Sequence, residues 1–270
     1  MKNERFLSQH LFRLLLTSWV LAISILNQAA AQSTQMLPWV ADAPGEFVRL
    51  IDRGNVKIVV DEVLVQKAGK SALTTFRFIV DYDFKYRIQT LGYDRETNTW
   101  QSKIVAWMDQ PKVKIEHKIC LKADLYSESP WESKLLRHEF DHVAISSDPR
   151  LLKIIRRALQ QRREWTGKWV QANPPSEQDV HLNILESITA EVNALEKLVQ
   201  AQYDLLDMES SQGRTAIQSR SSFFQGLYTI EGIEKGKYAM TPSMREYVKQ
   251  KISIPLSLKE VETHYLFLKP

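Results

Sequence analysis

Cysteine is almost missing from this chain: Cys120 is the only one in 270 residues. No internal disulfide can staple the fold, and no thiolate metal site can form beyond that one sulfur. Stability has to come from a hydrophobic core, which a chain of this length can build. Long apolar runs are also lacking after residue 26, so the mature chain offers no segment fit to span a membrane. Nor is there a dense Lys/Arg tract with interleaved aromatics, which makes nucleic acid a poor partner.

What stands at the N-terminus reads as a secretory leader over residues 1–31. Lys2, Arg5 and Arg13 make a basic start, Leu14 to Leu26 an apolar core, and Ala29-Ala30-Ala31 a small-residue cleavage site before Gln32. That segment carries three basic residues and Glu4, so its removal takes the formal charge from +4 to +2. No cysteine follows the apolar core, which argues against a lipoprotein. The expected location is the periplasm or the outside of the cell.

Residues 32–127 read as a strand-rich region. Gln32–Gly45 is an irregular lead-in. Strand signals cover Phe47–Val65 and Thr74–Leu91, where β-branched and aromatic residues partly alternate. Ala68-Gly69-Lys70-Ser71 and Asp94–Asn98 read as turns. Trp100–Met108 and Val113–Leu121 add further strands. In the last of these His117 and Cys120, three apart, would face opposite sides, and Cys120 reads as an ordinary buried thiol. This half contains no catalytic constellation. Its expected role is to flank a cleft or to offer an edge strand to a peptide.

Residues 128–224 read as a helical region that carries the chemistry. Ser129 is a ready N-cap, Pro130 suits the first helical position and Glu132 completes a capping box. Leu135, Leu136, Phe140, Val143 and Ala144 supply an apolar side. Within this helix His138-Glu139-Phe140-Asp141-His142 reads H-E-x-x-H. Residues four apart share a helix face, so His138 and His142 can offer two imidazoles to one metal ion. Glu139 leans beside that ion, where it can take a proton from water. Zinc suits nitrogen donors in a tetrahedral site with one position left open. The competing expectation is a solvated helix face with two surface histidines. Asp141 points elsewhere on the helix and reads as a surface charge.

Asp148 and Pro149 open a second helix, with an apolar side of Leu151, Leu152, Ile154, Ile155 and Leu159. Its basic side, Arg156, Arg157, Arg162 and Arg163, reads as a solvated face. Ser176 then caps a long helix to about Leu206, on which Glu196 and Lys197 read as exposed charges. A two-histidine motif needs a third protein ligand from another element. His181, Glu186, Glu191, Asp207, Glu209 and Gln212 are candidates, and spacing does not choose among them. Residues 225–270 read as a C-terminal extension packed on the core, without functional signal.

The stretch Leu135-Leu136-Arg137-His138-Glu139-Phe140-Asp141-His142-Val143-Ala144-Ile145 resembles the core of a bacterial family of secreted zinc proteases catalogued as domain of unknown function 922. The likeness covers about residues 100–220. In that family a long helix after the H-E-x-x-H helix leads to a segment of the form Tyr-Asp-x-x-Thr-x-His-Gly. The corresponding region here runs from Tyr203-Asp204 to Gly213-Arg214. Matching the Tyr-Asp pair puts Glu209 where the family has His, and matching the Gly-Arg end puts Gln212 there. A carboxylate is the better zinc ligand, so Glu209 is the expected third ligand beside His138 and His142.

Taken together, these readings predict an α+β fold with a strand-rich N-terminal half and a helical, zincin-like half. The function expected is a periplasmic or secreted zinc-dependent peptidase acting on protein or peptide, with Glu139 as general base. The alternative is an envelope binding module that keeps the fold without turnover.

Overall fold

A computed structural model describes residues 12–17, 37–123, 129–161, 163–169 and 176–229. Most of the expected leader, and the C-terminal extension beyond residue 229, lie outside the described residues. The piece of the leader-like segment that is described forms a strand, β1 (Phe12–Thr17). Among the described residues no helix is long and apolar enough to cross a membrane.

The fold is α+β as the patterns predict, with most strands in the first half and helices dominating the second. After β1 come α1 (Gly45–Gly54), β2 (Val56–Val60), α2 (Glu62–Lys67), β3 (Ala72–Asp94) and β4 (Thr99–Leu121). The second half holds α3 (Lys134–Ser146), α4 (Pro149–Gln160), β5 (Arg163–Trp169), α5 (Glu177–Glu209) and α6 (Arg220–Gly226). The five strands form one sheet in the order β1-β3-β4-β2, with β5 also paired to β4. β2 runs parallel to the end of β4, setting Val56 opposite His117 and Val60 opposite Leu121. β5 runs antiparallel to its start, setting Trp100 opposite Trp169 and Ala106 opposite Arg163.

Two local expectations are corrected. Of the stretch Phe47–Val65 only Val56–Val60 is a strand: Phe47 lies in α1, whose buried side is Phe47, Leu50 and Gly54, a helical rather than an alternating spacing, and Val63–Val65 lie in α2. Pro44 sits at the start of α1 and Asn55, in a left-handed conformation (φ 48°), ends it before β2. The expected break between Met108 and Val113 is also absent. Gln110 takes a left-handed backbone (φ 44°) just before Pro111, and the 23-residue strand continues through both. The turn at Asp94–Asn98 is as expected. The Asp94 carboxylate accepts the Glu96 amide at 3.0 Å, and Asn98 is left-handed (φ 54°).

The chain forms two compact units, each discontinuous in sequence. One includes residues 79–113 and 155–193. Its buried residues include Val80, Tyr82 and Phe84 of β3, Ile104 of β4, Ile155 and Leu159 of α4, and Val180, Ile184 and Ile188 of α5. Arg156 and Arg157 are exposed, as the basic side of α4 predicts. Arg163 is not on that side. It opens β5, and its guanidinium donates to Glu191 at 2.9 Å, to Ser187 at 3.0 Å and to the Leu159 carbonyl at 2.9 Å. Arg162 lies outside the described residues.

The other unit includes residues 37–78, 114–154 and 194–229. Alternate residues of β3, namely Thr74, Phe76 and Phe78, are buried, as are Ile115, His117 and Ile119 of β4. The Phe76 ring meets Tyr203 of α5 at 5.5 Å. α1 packs on α3, with Phe47 against Phe140 at 4.8 Å and against Trp131 at 5.0 Å. Cys120 packs with Val59 and Val65, and burial pushes its thiol up to about 11, so it is an inert core residue. Glu196 is not the exposed charge expected. It is 7% exposed, and burial pushes its carboxyl up to about 7. Lys197, next to it, is exposed.

Candidate metal centre

The helix that carries H-E-x-x-H starts later than its first capping signal. Pro130–Glu132 makes a 3-10 turn, and Ser129 caps nothing with its side chain. α3 begins instead at Lys134, where Ser133 accepts the Leu136 amide at 3.4 Å. Ser133 offers the same chemistry one turn later, and the residues after it carry the buried stripe.

His138 and His142 then lie one turn apart on one face, with ring centroids 4.7 Å apart. Both are buried, at 5% and 4% exposure, so the expectation of two solvated surface histidines fails. Their Nε2 atoms converge on one atom, Oδ1 of Asp207 on α5, at 2.9 Å and 3.1 Å. This buried His138–His142–Asp207 group could hold a metal ion. Donors 2.0–2.1 Å from a tetrahedral centre are about 3.3 Å apart; the two nitrogen–oxygen separations are slightly shorter, and all three ligand atoms lie within 4.8 Å of one another.

The hydrogen bonds around His138 test the fit. Ser210 donates its hydroxyl proton to the Leu206 carbonyl at 2.7 Å and accepts the Gly213 amide at 3.0 Å. Its oxygen, 3.3 Å from Nδ1 of His138, therefore faces that nitrogen as an acceptor. With the ring proton assigned to Nδ1, Nε2 turns a lone pair toward the Asp207 carboxylate. Two electron-rich atoms 2.9 Å apart call for a cation, a metal ion or a proton, to satisfy both. Fixing a ligand imidazole through its other nitrogen is what metal sites require. Burial by itself would raise the Asp207 pKa, but positive charge shared with His138 and His142, and the hydrogen bond from Lys70, outweigh it. They hold the carboxyl well below the usual carboxylate range.

Gly213 completes the cradle. Its φ is +77°, and a Cβ there would lie 2.8 Å from both Cβ and Cγ of His138. A side chain is excluded both by backbone conformation and by the imidazole against it.

His142 is supported by a separate chain of contacts. The Tyr203 ring lies 4.3 Å from the His142 ring, and its hydroxyl is 2.8 Å from Ser146 Oγ. Ser146 in turn meets Nε2 of the buried His117, whose Nδ1 meets the Gly54 carbonyl. Burial pushes His117 down to about 4, so it is neutral near pH 7. A neutral ring that donates through Nδ1 must accept through Nε2. The protons then run from Tyr203 to Ser146 to His117.

Glu139 and Asp141 flank the histidine stripe on its two sides, about 80° away on a helix of 3.6 residues per turn. Glu139 is buried, and Thr74 Oγ1 lies 2.6 Å from its Oε2. Asp141 is not a surface charge. It is 3% exposed and receives two hydrogen bonds from Arg220 of α6, one of them at 2.7 Å. The sequence showed only an acid between two histidines, and α6 brings the cation that allows its burial.

The structure does not bring Glu209 into this group. That residue is exposed near the end of α5, and Asp207 occupies the third position. Gln212 is exposed and contributes its amide to the Asp207 carbonyl at 2.7 Å. Glu186 is exposed, Glu191 pairs with Arg163, and the His181 ring packs on Phe84 at 5.5 Å. Thr74, Ser210 and Lys70 carry no mark in the sequence that ties them to the motif.

No family model matches the chain, and neither a curated protein nor a solved structure matches it.

Proposed function

We propose that this chain is a zinc-dependent peptidase acting on protein or peptide outside the cytoplasm. The observation that carries the reading is the convergence of two imidazoles and one carboxylate, His138, His142 and Asp207, from helices more than sixty residues apart in sequence. Two nitrogen donors and one oxygen donor suit zinc, and three protein ligands leave a fourth position free. When bound, the ion supplies Lewis acidity that polarises a carbonyl and acidifies water. His138, His142 and Asp207 hold that charge in place, and Ser210 keeps His138 in the tautomer that can bind it. Glu139, one residue after His138, takes the proton released as water attacks and returns it to the leaving amine. Thr74 orients that carboxylate through Oε2. The resemblance of residues 135–145 to a secreted zinc protease family and the leader-like N-terminus support the same reading.

The test is metal analysis of the purified protein together with hydrolysis of a casein-type substrate, with and without a chelator. One zinc per chain and chelator-sensitive cleavage are expected. Glu139→Gln is expected to keep the zinc while turnover falls by about 10²-fold or more, the usual worth of a general base. Unchanged hydrolysis by that variant refutes the assignment of Glu139.

A second reading is a non-catalytic envelope binding module. The observation favouring it is that Glu139 is 4% exposed and already engaged by Thr74. One bound zinc with no hydrolysis of any peptide offered would select it.

A further inference from the structure

Lys70 lies outside the motif, in the turn between α2 and β3, yet it touches the centre. Its Nζ donates to Oδ2 of Asp207 at 2.9 Å, while Oδ1 of the same carboxylate faces both histidines. The two oxygens of Asp207 are thus divided between different partners. We infer that Lys70 is a positioning residue that reserves Oδ2, so that Asp207 engages a bound ion through Oδ1 alone. This rests on the reading of His138, His142 and Asp207 as a metal centre.

The local structure anchors Lys70 for that role. Gly69 takes φ +66° after α2, and the Lys70 amide donates to the Val65 carbonyl at 3.1 Å, which starts the side chain from a fixed backbone. The stem then reaches Asp207, 137 residues later in the chain. A carboxylate left free can grip a cation with one oxygen or with two. A charge-assisted bond from an ammonium group must be given up before the second oxygen can turn inward. Orientation of ligand carboxylates by such outer partners is a general feature of metal sites. Single-oxygen ligation keeps the protein's contribution at three donors, the number that leaves room for an exogenous ligand. The side chains of Lys70 and Asp207 are 35% and 19% exposed, so their ion pair adds little to stability. Its loss is therefore expected to alter coordination more than folding.

The experiment is a cobalt(II) titration of the full, metal-free chain, read by visible absorption, for wild type, Lys70→Met and Lys70→Arg. Wild type and Lys70→Arg are expected to bind one cobalt with the intense absorption of a four-coordinate ion. Lys70→Met is expected to bind one cobalt with absorption reduced several-fold, because Asp207 adds its second oxygen and the coordination number rises. Lys70→Gln serves as a second neutral variant, and thermal melts establish that each variant is folded. A folded neutral variant with wild-type absorption, or with no bound cobalt, overturns the role of Lys70. Failure of wild type to bind cobalt overturns the metal centre itself, a different outcome from the first.

Discussion

At the scale of single residues the third ligand shows what a motif leaves open. Asp207 and Glu209 are two apart on α5, which sets them about 160° apart around the helix. They flank its buried stripe on opposite sides. The periodicity of Leu195, Leu198 and Val199 identifies that stripe but not which flank meets α3. Asp207→Ala is expected to weaken zinc binding by more than about 100-fold, beyond the usual effect of an outer partner. Glu209→Ala should leave it unchanged, and competition with a chromogenic chelator measures both. Gly213→Ala probes the cradle. A left-handed alanine costs about 1–2 kcal/mol, and its Cβ would also overlap His138. Lowered thermal stability together with weaker zinc binding is the expected result. An effect on stability alone would separate Gly213 from the placement of His138.

At the scale of elements, α3 has two faces with different tasks. His138 and His142 share one side, and Phe140 lies on the other, fully buried against Phe47 and Trp131. Phe140→Ala is expected to cost about 3–5 kcal/mol in denaturant unfolding, as large core truncations do. Metal affinity of the folded fraction should stay at the wild-type value, because the lost contacts are on the far side of the helix. A large fall in affinity would mean that the aromatic packing, rather than the histidine face itself, sets ligand geometry. The apolar and capping signals of α3, α4 and α5 were legible because helix formation is local. Phe47–Ile51 carries a strand signal yet folds as helix, because short apolar runs fit a helix or a strand equally well. The start of α3 moved because two serines compete for the cap.

At the scale of the whole molecule two buried ionisable groups pull the pH dependence in opposite directions. His117, near 6.5 in an unfolded chain, is pushed down to about 4 in the fold. Between those values the unfolded state binds more protons, so stability falls as the pH drops from about 6.5 to 4, by on the order of 3 kcal/mol. Glu196 is raised to about 7 in the fold. Its stabilisation is full below the ordinary glutamate pKa of about 4.3 and is lost as the pH rises through 7, again on the order of 3 kcal/mol at most. Glu196→Gln removes that loss. It should be more stable than wild type at pH 8 and nearly equal to it at pH 4.5, as read from melting temperature. Equal melting temperatures at pH 8 would show that Glu196 ionises without penalty.

The sequence by itself determined what depends on neighbours along the chain. It determined the α+β class, the turns at Gly69 and Asn98, the burial of Cys120, and two histidines one turn apart with a glutamate beside the first. Helical and strand periodicities are local, and these features follow from them. Tertiary structure alone decided which carboxylate closes the histidine pair, that Asp141 is buried beneath Arg220, and that Lys70 reaches Asp207. It also decided that Ser210 faces the inner nitrogen of His138. Each of those joins residues distant in sequence. Their approach is set by how α5, α6 and the turn before β3 pack around α3, and no spacing along one element encodes that packing.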